Sequence, residues 1–106
     1  MITGDLLGLI AACEGKYAEA KREGYAKSPD VIGAVAVLKS ACTALAIAND
    51  ELTTKGFFGR AVATMRANRA CRATRRACIN LDAAIERACV DNHIHNRCLM
   101  LLSRAA

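Results

Sequence analysis

The clearest structural signal in the chain lies in residues 31–52, which read VIGAVAVLKSACTALAIANDEL. Residues at alternating steps of four and three are almost all apolar here, which is the spacing of a helix packed lengthwise on neighbouring helices. Asn49 is the polar member of the series and is placed to fix its register. The series consists of Val31, Val35, Leu38, Cys42, Leu45, Asn49 and Leu52.

The residues before this segment mark its start and predict an earlier helix. Ser28 can cap a helix, Pro29 suits the first helical position, and Asp30 complements the positive helix end. A first helix is predicted from about Thr3, a candidate N-cap, to about Gly24. Its apolar face consists of Leu6, Ile10, Cys13, Tyr17 and Ala20.

A third helix is predicted after a turn at residues 56–59, where two phenylalanines are expected to close the end of the bundle. It runs from Arg60 to Asp91 or Asn92, and a short last helix follows from His93. One narrow face of the long helix carries small and apolar residues. These are Ala63, Ala67, Ala70, Cys71, Thr74, Ala77, Cys78, Leu81, Ile85, Ala88 and Cys89.

These patterns predict one all-α domain over residues 1–106, an antiparallel helical bundle of three long helices plus a short C-terminal helix. No segment shows the two-residue alternation of a β-strand. The composition is 54% apolar but only 4% aromatic, and alanine supplies much of the apolar share. Because alanine buries little area, the core is thin, and a homodimer is expected to reinforce it.

Targeting features predict a cytoplasmic protein that does not enter a membrane. The first residues lack the basic start of a signal peptide. The longest apolar run, Val31–Leu38, stops at Lys39 and falls short of the roughly 20 residues that cross a bilayer. The six cysteines include no Cys-x-x-Cys pair, and those on inward faces are expected to be free thiols that pack as small apolar groups.

The charge of the chain is divided unevenly along its length. Residues 1–56 carry six basic against seven acidic residues, whereas residues 57–106 carry nine arginines against three acidic residues. From Leu52 to Leu81 there is no carboxylate at all. Arginine suits paired hydrogen bonds to phosphate or carboxylate, so this half is expected to face an anionic partner.

An arginine-rich helix is the strongest candidate for function. Arginines recur at every third position from Arg66 to Arg75 and sweep half of the helix circumference, opposite the small apolar face. No acid lies three or four residues away to neutralise them. The predicted site is Arg60, Arg66, Arg69, Arg72, Arg75 and Arg76.

The sequence therefore predicts a small binding or regulatory module whose partner is an acidic macromolecule, either a nucleic-acid backbone or an acidic protein surface. No aromatic residues stand among the arginines, so backbone contact is favoured over base stacking. The alternative is that Glu14, Glu19 and Glu23 of the first helix, or ordinary solvent, compensate the charge.

A second hypothesis is a Zn or Cu site near the C-terminus, because thiol and imidazole groups are ligands for these metals. Its ligands would be Cys89, His93, His95 and Cys98. The simpler interpretation is a helix end, where the histidines complement the negative pole of the helix, and no cofactor is then required.

No catalytic motif is present in the sequence. No nucleophile and base stand in a recognisable pattern, and Gly56-x-x-Gly59 lacks the Lys-Ser/Thr that follows a phosphate-binding loop. We therefore expect a protein that is not an enzyme.

Overall fold

The computed structural model describes residues 4–54 and 57–105, and these residues form three α-helices and no strand. The helices are α1 over Gly4–Glu23, α2 over Pro29–Thr54 and α3 over Phe57–Ala105. The all-α prediction and the start of α2 at Pro29 are confirmed. The predicted cap Thr3 and Gly56 of the predicted turn lie outside the described residues, as does the predicted packing of the two phenylalanine side chains. The rest of that predicted turn is wrong, because α3 already begins at Phe57 and not at Arg60.

The connection between α1 and α2 contains the residues that predict a helix end and a helix start, which are Gly24, Ser28 and Pro29. Gly24 has a φ of 88°, a left-handed conformation that glycine adopts without strain. The N–H of Tyr25 donates to the carbonyl of Ala20 at 3.1 Å, and the N–H of Gly24 donates to that of Lys21 at 3.3 Å. This pair of hydrogen bonds is a Schellman cap, which ends α1 and turns the chain toward α2.

Helix α3 is longer than predicted and replaces two predicted elements. We expected an end at Asp91 or Asn92 and a separate short helix from His93, but one helix of 49 residues continues to Ala105. The reason is that no Gly or Pro follows Gly59, and Asp and Asn only weakly disfavour helix. The molecule is therefore elongated, with extents of 73 × 20 × 15 Å.

Helix α2 lies antiparallel to α3 over almost its whole length. Glu51 near the end of α2 forms an ion pair with Arg66 near the start of α3, at 3.4 Å. Asp30 at the start of α2 approaches Arg87 much farther along α3, at 3.8 Å. The two helices therefore run side by side in opposite directions, as the heptad spacing of α2 predicts.

Helix α1 lies beside the middle of α3 and runs parallel to it. The Sγ of Cys13 lies 3.4 Å from the carbonyl oxygen of Cys78, and the Nζ of Lys16 lies 2.7 Å from the Oδ1 of Asp82. The start of α3 lies beside α2, as the contact of Arg66 with Glu51 shows, and the middle of α3 contacts both other helices. Every described side chain from His93 to Arg104 is exposed.

The core is small and is built around the middle of α3. Leu81 and Ile85 are its largest members there, at 2% and 1% exposed. The predicted inward face of α3 is buried or half-buried at each position except Cys89, which is exposed. The core cluster consists of Cys13, Ala20, Val31, Leu38, Ala77, Cys78, Leu81, Ala84, Ile85 and Ala88.

Helix α2 is more apolar than the uninterrupted run in its sequence suggested. It contains an 18-residue window with a mean hydropathy of 2.0, of which only 22% is buried, so length and composition alone would allow it to cross a bilayer. The uninterrupted apolar run ends at Lys39, but the helix continues with apolar residues beyond that single charge. One side of the helix is exposed and largely apolar.

Candidate partner-binding face

The six predicted arginines lie on the first part of α3, and each of them is exposed. At 100° per residue, Arg72 points about 180° away from the buried side chain of Leu81. Arg69 and Arg76 lie on the same outer side, one turn to either side of Arg72. We call Arg69, Arg72 and Arg76 the outer arginines. Their position opposite the core follows directly from the small apolar stripe.

One of the six arginines is paired within the chain. Arg66 contacts Glu51 at 3.4 Å, and this ion pair is mostly exposed. Within residues 4–54 and 57–105, the other five form no ion pair within 4.0 Å. They are Arg60, Arg69, Arg72, Arg75 and Arg76.

The acidic residues that could have neutralised this segment are placed elsewhere. Asp82 and Glu86 both bind Lys16 of α1, at 2.7 and 3.1 Å. Asp30 approaches Arg87. The glutamates Glu14, Glu19 and Glu23 of α1, which the alternative hypothesis assigned to the arginines, form no ion pair with them in the described part of the chain. The positive charge is therefore left to solvent or to a partner.

Large apolar side chains share the outer side of α3 with the arginines. Val62, Met65 and Ile79 are 52%, 65% and 58% exposed. Met65 precedes Arg69 by one turn, and Ile79 follows Arg76 by three residues. The sequence shows that these residues are apolar, but it does not show whether they are exposed. The packing of α1 and α2 shows that nothing in the described chain covers them.

A groove between α2 and α3 adjoins the arginine segment. It has a volume of about 380 Å³ and a largely apolar lining. From α2 it is lined by Ala44, Ile47, Ala48 and Glu51. From α3 it is lined by Arg66, Arg69, Ala70 and Ala73.

The predicted metal ligands are not brought together. Cys89, His93, His95 and Cys98 all lie on the exposed part of α3, and a single straight helix distributes them around its circumference. No group of three or more His, Cys, Asp or Glu side chains that could hold a metal ion occurs in the described residues. The predicted helix end at Asp91 or Asn92, which would have separated Cys89 from the other three ligands, is replaced by continuous helix.

The structure instead gathers thiols in the core, where one cysteine comes from each helix. The Cys13 thiol donates a hydrogen bond to the carbonyl of Cys78 at 3.4 Å. Burial, with the neighbouring thiols of Cys13 and Cys42 adding to it, raises the pKa of Cys78 to about 12. Burial also raises the pKa of Cys13 and of Cys42. These thiols stay protonated at neutral pH and pack as apolar groups.

Comparison of the chain with family models, curated proteins and solved structures gives no match. Function must therefore be argued from the residues and their placement.

Proposed function

We propose that this chain is a small non-enzymatic binding module that engages an acidic partner through the arginine segment of α3. The observation that carries the proposal is the unpaired charge. Five exposed arginines lack a carboxylate within 4.0 Å in the described chain, while Glu51 pairs with Arg66, and Asp82 and Glu86 pair with Lys16. A carboxylate or phosphate partner would find these guanidinium groups free to make charge-assisted hydrogen bonds.

An acidic protein surface is a better fit than a nucleic-acid backbone. Exposed ion pairs contribute only about 0–1 kcal/mol each, so charge alone gives weak and salt-sensitive binding. The exposed Val62, Met65 and Ile79 add apolar area that a protein partner can bury but that a phosphate backbone does not use. The partner that satisfies both features is an amphipathic helix with carboxylates on its contact face.

The arrangement of the outer side supports a helical partner. Val62, Met65, Arg69, Arg72, Arg76 and Ile79 follow one another at alternating steps of three and four residues. This spacing keeps a stripe on one side of a helix and suits lengthwise contact with a second helix. Glutamates placed opposite the outer arginines would pair with them.

The experiment is a binding titration of the full chain with two fluorescent probes at about 50 and 200 mM salt. One probe is a helical peptide of Glu and Leu in heptad spacing, and the other is a 24-base-pair DNA duplex. The test variant changes Arg69, Arg72 and Arg76 to Ala. The control changes Arg22, Arg97 and Arg104 to Ala, which removes the same charge from elsewhere on the surface.

We expect the peptide to bind and the test variant to weaken that binding at least tenfold, while the control binds as the unmodified chain does. A second variant, Met65→Ser with Ile79→Ser, should weaken peptide binding and leave DNA binding unchanged. Equal losses of peptide binding in the test and control variants would mean that net charge alone determines binding, and this would contradict the proposal. Failure of both probes at low salt would also contradict it.

A further inference from the structure

One side of α2 is an extended, largely apolar surface whose side chains are exposed and which borders the groove between α2 and α3 at Ala44 and Ile47. Its two largest members, Val37 and Ile47, are 57% and 58% exposed. At 100° per residue its members span about 120° of the helix, with Ser40 at the centre. We call it the outer α2 face, and it consists of Gly33, Ala36, Val37, Ser40, Thr43, Ala44 and Ile47.

A helix that is apolar on both sides is normally covered on both sides. Between Val31 and Asn49 the only charged residue is Lys39, which lies at the margin of the outer α2 face. The buried side of α2 packs on α3, but its exposed side has neither charges to solvate it nor a helix packed over it. Contiguous exposed apolar surface of this kind marks an interaction site.

We infer that the outer α2 face binds the same face of a second copy of the chain, with the two α2 helices antiparallel about a two-fold axis at Ser40. This inference goes beyond the proposed function, and the two surfaces meet only at Arg69, the outer arginine that borders the groove beside the outer α2 face. A two-fold contact requires a surface that complements itself. The outer α2 face meets this requirement, because the residues that face each other about Ser40 fit in size.

Antiparallel contact centred on Ser40 brings together side chains that fit in size. Ile47 of each copy lies over Gly33 of the other, where the space around a Cβ position is open to 4 Å. Ala36 meets Ala44, which lets the helices approach closely as small residues do at helix contacts. Ser40 meets Ser40, and two hydroxyls can each donate to and accept from the other.

The charges at the ends of α2 favour this direction. Arg66 lies beside Glu51 on the same copy, and Glu51 stands eleven residues beyond Ser40. Eleven residues before Ser40 is position 29, so Asp30 of the second copy lies level with Arg66. The same register sets Asp50 level with Asp30 of the second copy, but at 100° per residue the two carboxylates lie on opposite margins of the contact. The two copies of Arg66 would lie about 30 Å apart. Because this distance is far beyond the screening length of about 8 Å, they would not repel each other.

A second copy is a better occupant of this face than the interior of a bilayer. The groove beside the outer α2 face is flanked by Arg66, Arg69 and Glu51. Entry into hydrocarbon would strip water from these groups and from Lys39. Contact with another α2 leaves them at the rim of the interface, where they remain solvated.

The first test is the mass of the full chain in solution, measured by sedimentation equilibrium from about 1 µM to 1 mM, a range that suits an interface at the small end of stable dimers. We expect a concentration-dependent dimer. Ser40→Arg places two like charges at the two-fold axis and should raise the dissociation constant at least 100-fold. Ala18→Arg, on the exposed side of α1, is the matched control and should leave the dimer intact.

The second test reads the register directly and does not depend on a disruptive variant. In a background with Cys89→Ser and Cys98→Ser, Ser40→Cys should form a disulfide between two copies on mild oxidation. Ala44→Cys alone should not, whereas a mixture of Ala36→Cys and Ala44→Cys chains should. Facing residues must bring their Cα atoms to within about 7 Å for this bond.

A chain that is monomeric at 1 mM would overturn the inference. So would a dimer that survives Ser40→Arg and does not cross-link through Ser40→Cys, because its interface would lie elsewhere. Binding of the chain to neutral phosphatidylcholine vesicles that is lost in Ser40→Arg would equally overturn it, because a bilayer would then cover the face.

Discussion

The Nζ of Lys16 on α1 lies 2.7 Å from the Oδ1 of Asp82 on α3, and the Oε1 of Glu86 lies 3.1 Å from the same nitrogen. One ammonium group thus joins two carboxylates that are one helical turn apart. The hydrogen bond to Asp82, followed by that to Glu86, raises the pKa of Lys16 against the opposing effect of burial. This contact joins α1 to the middle of α3, next to the packed side chains of Cys13 and Cys78.

We expect Lys16→Ala to lower the free energy of unfolding by about 0.5–1 kcal/mol, since the pair is partly exposed and screened by solvent. A double-mutant cycle with Asp82→Asn should give a coupling energy of the same size. Lys27→Ala, which removes a lysine that forms no ion pair with a described residue, is the control. A coupling energy of zero would show that α1 is positioned by its apolar face alone.

Two isoleucines of α3 test where the core lies. Ile85 is 1% exposed and Ile79 is 58% exposed, although both belong to the same helix and have the same helix propensity. We expect Ile85→Ala to cost about 2–5 kcal/mol because it leaves a cavity, and Ile79→Ala to change stability by less than about 0.5 kcal/mol. Urea unfolding of both variants measures the difference. Similar values would place the core elsewhere.

The raised pKa of the Cys78 thiol predicts that the folded chain loses stability in alkali. The pKa of this thiol is raised to about 12 in the folded chain, whereas the unfolded thiol ionises near pH 8.5–9. Above that pH the unfolded chain binds fewer protons than the folded chain, so the free energy of unfolding falls as pH rises. The contribution of this group approaches about 1.4 kcal/mol per pH unit.

Urea unfolding under reducing conditions at pH 8, 9 and 10 measures this dependence. Cys78→Ala should make the decline with pH shallower, and Cys98→Ala, which changes an exposed thiol, should leave it unchanged. A decline that is the same in all three chains would mean that Cys78 does not titrate in this range.

The cysteines should differ sharply in their reactivity toward a thiol reagent. Cys89 and Cys98 are exposed, whereas Cys13 and Cys78 are buried in the core. At pH 8 without denaturant, we expect Cys89 and Cys98 to react first and the two core thiols to react only through unfolding. Mass spectrometry of the modified peptides with time tests this order. Early modification of Cys78 would contradict the packing described above.

The last part of α3 should contribute little to stability. Its side chains from His93 to Arg104 are exposed, and a helix of this length is marginal without tertiary contacts. A chain ending at Asn92 should therefore unfold within about 0.5 kcal/mol of the full chain. A larger loss, dependent on protein concentration, would show that this segment is covered by a second copy.

Much of the fold follows from the spacing of the apolar residues and from the residues that start and end helices. The stripe from Ala63 to Ala88 predicts the buried side of α3, because its spacing keeps small residues on one side. Ser28 and Pro29 predict the start of α2, and Gly24 predicts the end of α1. The outward placement of Arg72 then needs no further information, since it lies opposite the stripe.

Three features lie beyond sequence reasoning, for physical reasons. Asp91 and Asn92 resemble a helix end, but weak helix formers do not stop a helix unless a cap or a reversal follows. The contact of Lys16 with Asp82 joins residues 66 positions apart, and no local pattern specifies such a pair. The exposure of Met65 likewise depends on which side α1 and α2 occupy.

The unbroken length of α3 makes the molecule a spacer. After Gly59 the helix contains neither glycine nor proline, so its sequence offers no ready hinge. Arg72 and Leu101 therefore lie about 44 Å apart along the axis of this helix. A partner bound at the arginines and another attached at the far end would be kept at a set separation, with rotation about the axis passed from one to the other.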